Sequence, residues 1–323
     1  MTNVDDPVAL SARGVTKRFG ATAAVRELTL EVRRGEMFGL IGPDGAGKTT
    51  TIRLACGLLA ADAGEVRVLG HDPVREHPAI TQSVGYLSQR FSLYGDLSID
   101  ENIAFFAQIH GVTRYEARRT RLLEMMQLTP FRDRLAERLS GGMKQKLALA
   151  CTLIHEPQVI LLDEPTTGVD PVSRREFWKL LSEFMSAGIT IVMTTPYLDE
   201  AERCSRVGLM HEGRLLVLGT PENLRAAYPG QVVEVIAEPQ ARAAQLVRTM
   251  DGVADVHAFG ERLHVRLGET ESSTVSDALP AETSPDPGSR IRWALERAGV
   301  TVAASRAVPP SLEDVFINQV LHA

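Results

Sequence analysis

Residues 139–170 read LSGGMKQKLALACTLIHEPQVILLDEPTTGVD. Ser140 is a helix-capping residue with two glycines, Gly141 and Gly142, directly behind it. Glycine is a poor helix former, so two in a first turn make sense where something anionic must approach the backbone N–H groups closely. After a short connection, the apolar run Val159–Leu162 has the continuous character of a parallel strand buried on both faces. Asp163 and Glu164 then stand at its carboxyl end, where open α/β sheets place their ligands. Alone, this is equally a buried strand followed by a polar loop. A second motif, about a hundred residues upstream, decides the reading.

That motif is MFGLIGPDGAGKTTTIRLACGLL, residues 37–59. Met37–Ile41 is an apolar strand, and Gly42–Thr49 matches G-x-x-x-x-G-K-[ST]. Apolar residues resume at helical spacing (Ile52, Leu54, Ala55, Leu58, Leu59), which supplies the strand–loop–helix setting a phosphate loop requires. Glycines let backbone N–H groups turn inward around phosphate oxygens, and the helix N-terminus adds partial positive charge. Lys48 suits the outer phosphates, and the Thr49 hydroxyl suits Mg²⁺.

Outward from these motifs, residues 8–34 alternate with period 2 and predict antiparallel strands, with Phe19 exposed at a turn beside Gly20. GEVRVLG and SVGYLSQ, within residues 63–89, are expected to form a further strand pair ending at Gln89. Ser98-Ile-Asp-Glu101 is a capping box for a helix to about Gly111, and Arg114–Leu128 is amphipathic. Asp170-Pro171 is an N-cap and a first-turn proline for a helix to Gly188. GITIVMTT is the next buried strand, VGLMHEGRLLVLG a hairpin turning at Glu212-Gly213, and Thr220-Pro221 opens a short helix. One domain is expected over 1–229. A second, over 230–323, has strand and helix signals in the order βαββαβ, which suggests a small α+β ferredoxin-like unit with a flexible Pro/Ser/acid-rich loop at 269–288. PSLEDVFINQVLH closes it as an amphipathic helix with Leu312, Val315, Phe316 and Val320 on one face.

The chain has 323 residues, enough for two domains, with 44% hydrophobic and 24% charged residues, as in ordinary globular proteins. A net charge of −6 gives no basic footprint, so no nucleic-acid partner is expected. Cys56, Cys151 and Cys204 form no CxxC pair, and buried thiols in a reducing compartment are expected. No apolar run approaches a transmembrane span, and MTNVDDPVAL has neither the basic nor the apolar region of a signal peptide, so a cytoplasmic chain is expected.

The phosphate loop, LSGGM and VILLDEP at these separations resemble the nucleotide-binding domain of ATP-binding cassette (ABC) proteins over residues 8–228. GPDGAGKTT, LSGGMKQKLALACTL, LLDEP-x-x-GVDP and the closing LEDVFI look more narrowly like ATPase subunits of type 2 ABC exporters of the multidrug and efflux branch. The resemblance implies an α/β P-loop fold with a parallel core sheet, an antiparallel β subdomain and a helical subdomain. It implies a head-to-tail dimer, homo- or hetero-, with ATP sandwiched between subunits. Gly42, Pro43, Asp44, Gly45, Ala46, Gly47, Lys48, Thr49 and Thr50 of one subunit would hold the phosphates, and Ser140, Gly141, Gly142 and Met143 of the other would cover the γ-phosphate. Thr49, Gln89 and Asp163 would lie around Mg²⁺, Phe19 would stack on adenine, Glu164 would act as general base, and Asp170 would line the dimer interface. Gln89 and the helical segment around 90–130 would face type 2 permease subunits, placing the chain on the cytoplasmic face of the membrane; a periplasmic adaptor is left open.

One departure stands out. Where such proteins carry a histidine, in a pattern like TTHYLDEAE, this chain reads TTPYLDEAE, with Pro196 at the switch position. Proline offers neither a polar side chain nor an N–H, which implies slowed hydrolysis. Met143 in place of the commoner glutamine is a smaller departure. Two other readings stay open: a soluble ABC protein outside transport, and an ATP-dependent dimerisation switch or degenerate cassette with little hydrolysis.

Overall fold

The computed structural model describes residues 8–89, 92–268 and 286–321. The chain divides between residues 221 and 222 into two compact units; the sequence places its boundary at Pro229-Gly230.

The first unit opens with β1 (Val8–Phe19) and β2 (Thr22–Arg33), then β3 (Met37–Ile41), α1 (Lys48–Ala55), β4 (Ala63–Val68), α2 (His77–Ser83) and β5 (Val84–Leu87). Helices α3 (Ile99–Ile109), α4 (Glu116–Met125) and α5 (Gly141–Leu153) follow. The unit continues with β6 (Val159–Asp163), α6 (Pro171–Ser186), β7 (Thr190–Thr195), the single turn α7 (Leu198–Ala201) and the hairpin β8 (Arg206–His211) and β9 (Arg214–Gly219). These form two sheets. One is antiparallel, in the order β2-β1-β4; the other has the order β5-β6-β7-β3-β8-β9 and is parallel except for β9. Every residue of β3, β6 and β7 is buried, which is why these segments read as unbroken apolar runs. Helix α1 packs against strands of both sheets, and one core joins Leu28, Leu30 and Val32 to Phe38, Leu40, Ile52, Leu161 and Val192.

The expected pairing of the two strand segments within residues 63–89 is corrected. β4 pairs antiparallel with β1, whereas β5 pairs parallel with β6 in the other sheet. Helix α2, too polar to stand out in the sequence, lies between them and carries the chain from one sheet to the other.

The helical segment begins as its sequence predicts. Ser98 Oγ accepts from the Glu101 N–H at 3.2 Å, while the Glu101 carboxylate accepts from the Ser98 N–H at 2.8 Å. Both α3 and α4 touch α5, burying Ile99, Ile103, Leu122, Leu123 and Leu147. At the far end of this segment His110 and His155 stack at 3.8 Å and 9°. Burial, followed by repulsion from His110, pulls the His155 pKa down to about 4.

Helix α8 (Pro221–Ala226) spans the division. The second unit then runs β10 (Gln231–Glu238), α9 (Gln240–Arg248), β11 (Val253–Phe259), β12 (Arg262–Leu267), α10 (Pro287–Arg297), β13 (Thr301–Val308) and α11 (Leu312–Leu321). Its sheet is antiparallel in the order β11-β12-β10-β13, with Val235, Val247, Val265, Ile291 and Leu295 in the core. The expected loop at 269–288 lies outside the described residues except for Asp286, which caps α10, and its first two residues, Pro287 and Gly288. Asp314, 1% exposed, accepts from His264 Nδ1 at 2.9 Å and from Ser311 Oγ at 2.7 Å. Glu234, 4% exposed, sits between Arg262 and Arg306, each at 2.9 Å. Cys56, Cys151 and Cys204 are all buried, and burial raises each thiol pKa.

Among the described residues no helix is long and apolar enough to cross a membrane.

A candidate nucleotide-binding site at three strand ends

Because β7 lies between β6 and β3, the carboxyl ends of all three strands meet at one edge. The register sets Asp163 beside Thr194 and Ile41 beside Thr195. The phosphate loop leaves β3 there. Its glycines fit their positions closely. A Cβ on Gly42 would come 2.0 Å from the Met210 carbonyl oxygen, and one on Gly47, at φ 104°, would come 2.3 Å from that of Ala24. Ala46 is locked in place, its N–H donating to Pro43 O at 3.1 Å and its carbonyl accepting from the Gly213 N–H at 2.9 Å. Gly47 caps α1, and the first-turn N–H groups of that helix have no acceptor within the helix.

Lys48 is 4% exposed. Its ammonium donates to Gly42 O at 2.8 Å and Pro43 O at 3.0 Å and lies 3.1 Å from Glu164 Oε1. Glu164 Oε2 accepts from Gln89 Nε2 at 3.1 Å. Asp163, 1% exposed, accepts on one oxygen from both Thr49 Oγ1 at 2.9 Å and Thr194 Oγ1 at 2.8 Å. Glu164 takes φ 49°, a left-handed conformation that costs a non-glycine residue about 1–2 kcal/mol. Hydrogen bonds from its N–H to Thr194 Oγ1 at 3.0 Å and to Thr194 O at 3.2 Å hold it there.

A cavity of about 740 Å³ opens over these groups. Asp44, Gly45, Gly47, Lys48, Thr49 and Thr50 of the phosphate loop line it together with Gln89 and Glu164. Phe19, 51% exposed at the end of β1, is the aromatic edge of the cavity. Pro196 and Tyr197 line it as well. The residues fit a nucleoside triphosphate with Mg²⁺: the buried Lys48 and the start of α1 line the cavity, and Thr49 Oγ1 and Asp163 offer adjacent hard oxygens.

Ser140, Gly141, Gly142, Met143 and Asp170 do not join this cavity. Ser140 Oγ accepts from the Met143 N–H at 3.3 Å and caps α5, leaving Gly141 exposed. Asp170 Oδ1 accepts from the N–H groups of Val172 and Ser173, both at 3.0 Å, and caps α6. Hydrogen bonds from the Ser173 side chain and backbone keep its carboxyl below the usual range.

Several participants carry no sequence signal. Thr194 joins both carboxylate residues, yet in sequence it is one threonine at a strand end. Glu200, 1% exposed, accepts from Thr166 Oγ1 at 2.6 Å and Thr195 Oγ1 at 2.8 Å, tying the loop after Glu164 to the end of β7. Gln145, also 1% exposed, donates from Nε2 to Pro165 O and links α5 to the same loop. Polar residues buried from distant segments can be found only once the fold brings them together.

A phosphate loop on a parallel sheet, with paired carboxylates one strand away, defines a P-loop nucleotide-binding protein. A glycine-led helix on a separate helical segment narrows the class to the ATP-binding cassettes. The ABC transporter family model matches residues 25–167. The chain is 43% identical over 313 residues to the probable multidrug ABC transporter ATP-binding protein YbhF of Escherichia coli, covering 96% of this chain and 51% of that protein. It is 34% identical over 313 residues to the daunorubicin resistance ATP-binding protein DrrA3 of Streptomyces coeruleorubidus, covering 96% and 95%. It is 35% identical over 315 residues to the Nod factor export ATP-binding protein I of Rhizobium sp. (strain N33), covering 96% of each. Among solved structures, an ATP-binding subunit of an ABC transporter aligns with TM-score 0.63 at 29% identity, over 68% of this chain and 92% of that one. The cbiO1 subunit of Clostridium perfringens aligns with TM-score 0.62 at 27% identity, over 69% and 92%. This chain belongs to the ABC transporter ATP-binding protein family. It spans about half the length of YbhF, 51%.

Proposed function

We propose that this chain binds and hydrolyses ATP to power an efflux-type membrane exporter. The observation that carries the reading is the convergence of Lys48, Thr49, Glu164 and Gln89 on one cavity beside a phosphate loop, with Asp163 buried behind Thr49 and accepting from its hydroxyl. The loop from Gly42 to Thr50 wraps the phosphates, and Lys48 turns from its carbonyl partners to the outer phosphate oxygens. Thr49, Asp163 and Gln89 would hold Mg²⁺, which would supply positive charge to the phosphates. Glu164 orients the attacking water and accepts its proton, with Gln89 and the Thr194 bonds to its N–H keeping the carboxylate aimed. Phe19 stacks on the base.

Ser140, Gly141, Gly142 and Met143 stand outside the cavity, which is the placement a head-to-tail dimer needs. From a second subunit, the N–H groups at the start of α5 would complete the phosphate shell. Asp170, capping α6 at an exposed turn, lines that interface. ATP favours the closed dimer, and hydrolysis releases it. The surface around Gln89 and α3 couples the motion to type 2 permease subunits at the cytoplasmic face of the membrane. The export roles named for the relatives favour efflux over uptake.

Steady-state ATPase activity of the purified chain beside Glu164→Gln tests this. The wild type turns over, and the variant loses on the order of 10²–10⁴-fold, the usual contribution of a general base. Equal rates in both refute the hydrolytic reading. One observation favours a second reading: Pro196 lines the cavity without a donor. A dimerisation switch would dimerise with ATP while turning over no faster than Glu164→Gln.

A further inference from the structure

Pro196 brings no polar side chain to the wall of the cavity, but its neighbour, a tyrosine that also stands in the pattern TTHYLDEAE, does. Pro196 and Tyr197 both line the cavity together with Lys48, Glu164 and Thr167. Tyr197 is half-buried and held on two sides. Its N–H donates to Thr195 Oγ1 at 3.0 Å, and the Arg174 guanidinium lies 4.9 Å from its ring centroid. Arg174 in turn lies 3.6 Å from Glu200, the buried carboxylate that accepts from Thr166 and Thr195. The ring is thereby anchored to the loop that follows Glu164. Among the described residues none bonds the phenolic hydroxyl.

Resting on the ATPase reading above, we propose that the Tyr197 hydroxyl donates a hydrogen bond to the terminal phosphate of ATP, supplying the contact that Pro196 cannot make. The proton stays on the phenol throughout, so the residue acts as a neutral donor to the phosphate oxygens and takes no part in proton transfer. The contact discriminates nucleotides, because ADP lacks the γ-phosphate that it reaches.

Tyr197→Phe is the decisive variant, since it removes one oxygen while keeping the ring and its stacking on Arg174. Turnover of the full chain is measured together with ATP and ADP affinities in the Glu164→Gln background. A hydrogen bond to a charged oxygen predicts about a tenfold fall in kcat and about a tenfold loss of preference for ATP over ADP, with ADP affinity unchanged. Adding Pro196→His to Tyr197→Phe restores turnover and introduces a pH limb near the ordinary histidine value of about 6.5. Wild-type turnover and wild-type ATP preference in Tyr197→Phe overturn the proposal. A wild type without turnover refutes the ATPase reading alone, and the ATP-over-ADP ratio of Tyr197→Phe then still decides the role of the phenol.

Discussion

Replacing Thr194 with valine tests how the two carboxylates are held. Thr194 is fully buried, and its hydroxyl does two things: it donates to Asp163 at 2.8 Å and accepts from the Glu164 N–H at 3.0 Å. Valine keeps the shape and deletes both bonds. The Glu164 N–H retains Thr194 O at 3.2 Å, so its loss is small. Asp163 is 1% exposed and falls from two hydroxyl donors to one, Thr49. A hydrogen bond to a charged group contributes about 1.5–3 kcal/mol, so about 2 kcal/mol is expected here. For a unit of this size that corresponds to a fall in Tm of about 4–8 °C, measurable by circular dichroism. A double-mutant cycle with Asp163→Asn isolates the contact, because the valine costs less once the carboxylate is gone. The cycle should return a coupling of about 1–2 kcal/mol. A Tm within about 1 °C of wild type, or a coupling near zero, would refute the assignment of Thr194 as the support of Asp163.

The two glycines that open α5 should behave differently. A Cβ on Gly142 would come 2.2 Å from Ser173 Oγ and 2.6 Å from Ser173 Cβ, whereas one on Gly141 meets nothing within 4 Å. In urea unfolding, Gly142→Ala should therefore cost about 1–3 kcal/mol and Gly141→Ala under about 0.5 kcal/mol; equal midpoints would contradict the close approach of α5 to α6. In the second unit, His264 and Asp314 predict a pH-dependent stability. The hydrogen bond that His264 donates to Asp314 raises the His264 pKa, so that stabilisation is complete below the unfolded value near 6.5 and is lost as pH rises through the folded value. Burial alone would raise the Asp314 pKa, but the bonds from His264 and Ser311 outweigh it and hold it down, so its contribution is lost as pH falls through the acid range. The difference in Tm between wild type and Asp314→Asn should peak between about pH 4 and 6.5 and shrink towards pH 8.5; a pH-independent difference would contradict the ion pair.

How much of this was legible in the sequence depended on how local the determinants are. The phosphate loop could be read because its glycines, lysine and threonine are consecutive neighbours at the start of a helix, although the carbonyls those glycines must clear, of Met210 and Ala24, lie far along the chain. β6 and β7 could be read because burial on both faces removes polar residues from the whole strand. Pairing is less local. The segments that become β4 and β5 are neighbours in sequence, and strands so placed often pair, yet α2 moves the second into the other sheet. Least legible are single polar residues whose partners lie far along the chain. Thr194 meets Asp163 across 31 positions, Glu200 meets Thr166 across 34, and His110 stacks on His155 at a junction no local pattern marks.

The same distinction bears on Pro196. Read locally, the proline marks a site that has lost a part. In the folded chain it stands beside a tyrosine braced through Arg174 and Glu200 to the loop carrying Glu164. Glu200 is buried and accepts from two threonines, with Arg174 3.6 Å away, because an unpaired buried carboxylate is costly. That network ties the end of β7 to the loop after Glu164. On the proposed ATPase reading, the chemistry of this wall is then set by which side chain it presents to the cavity.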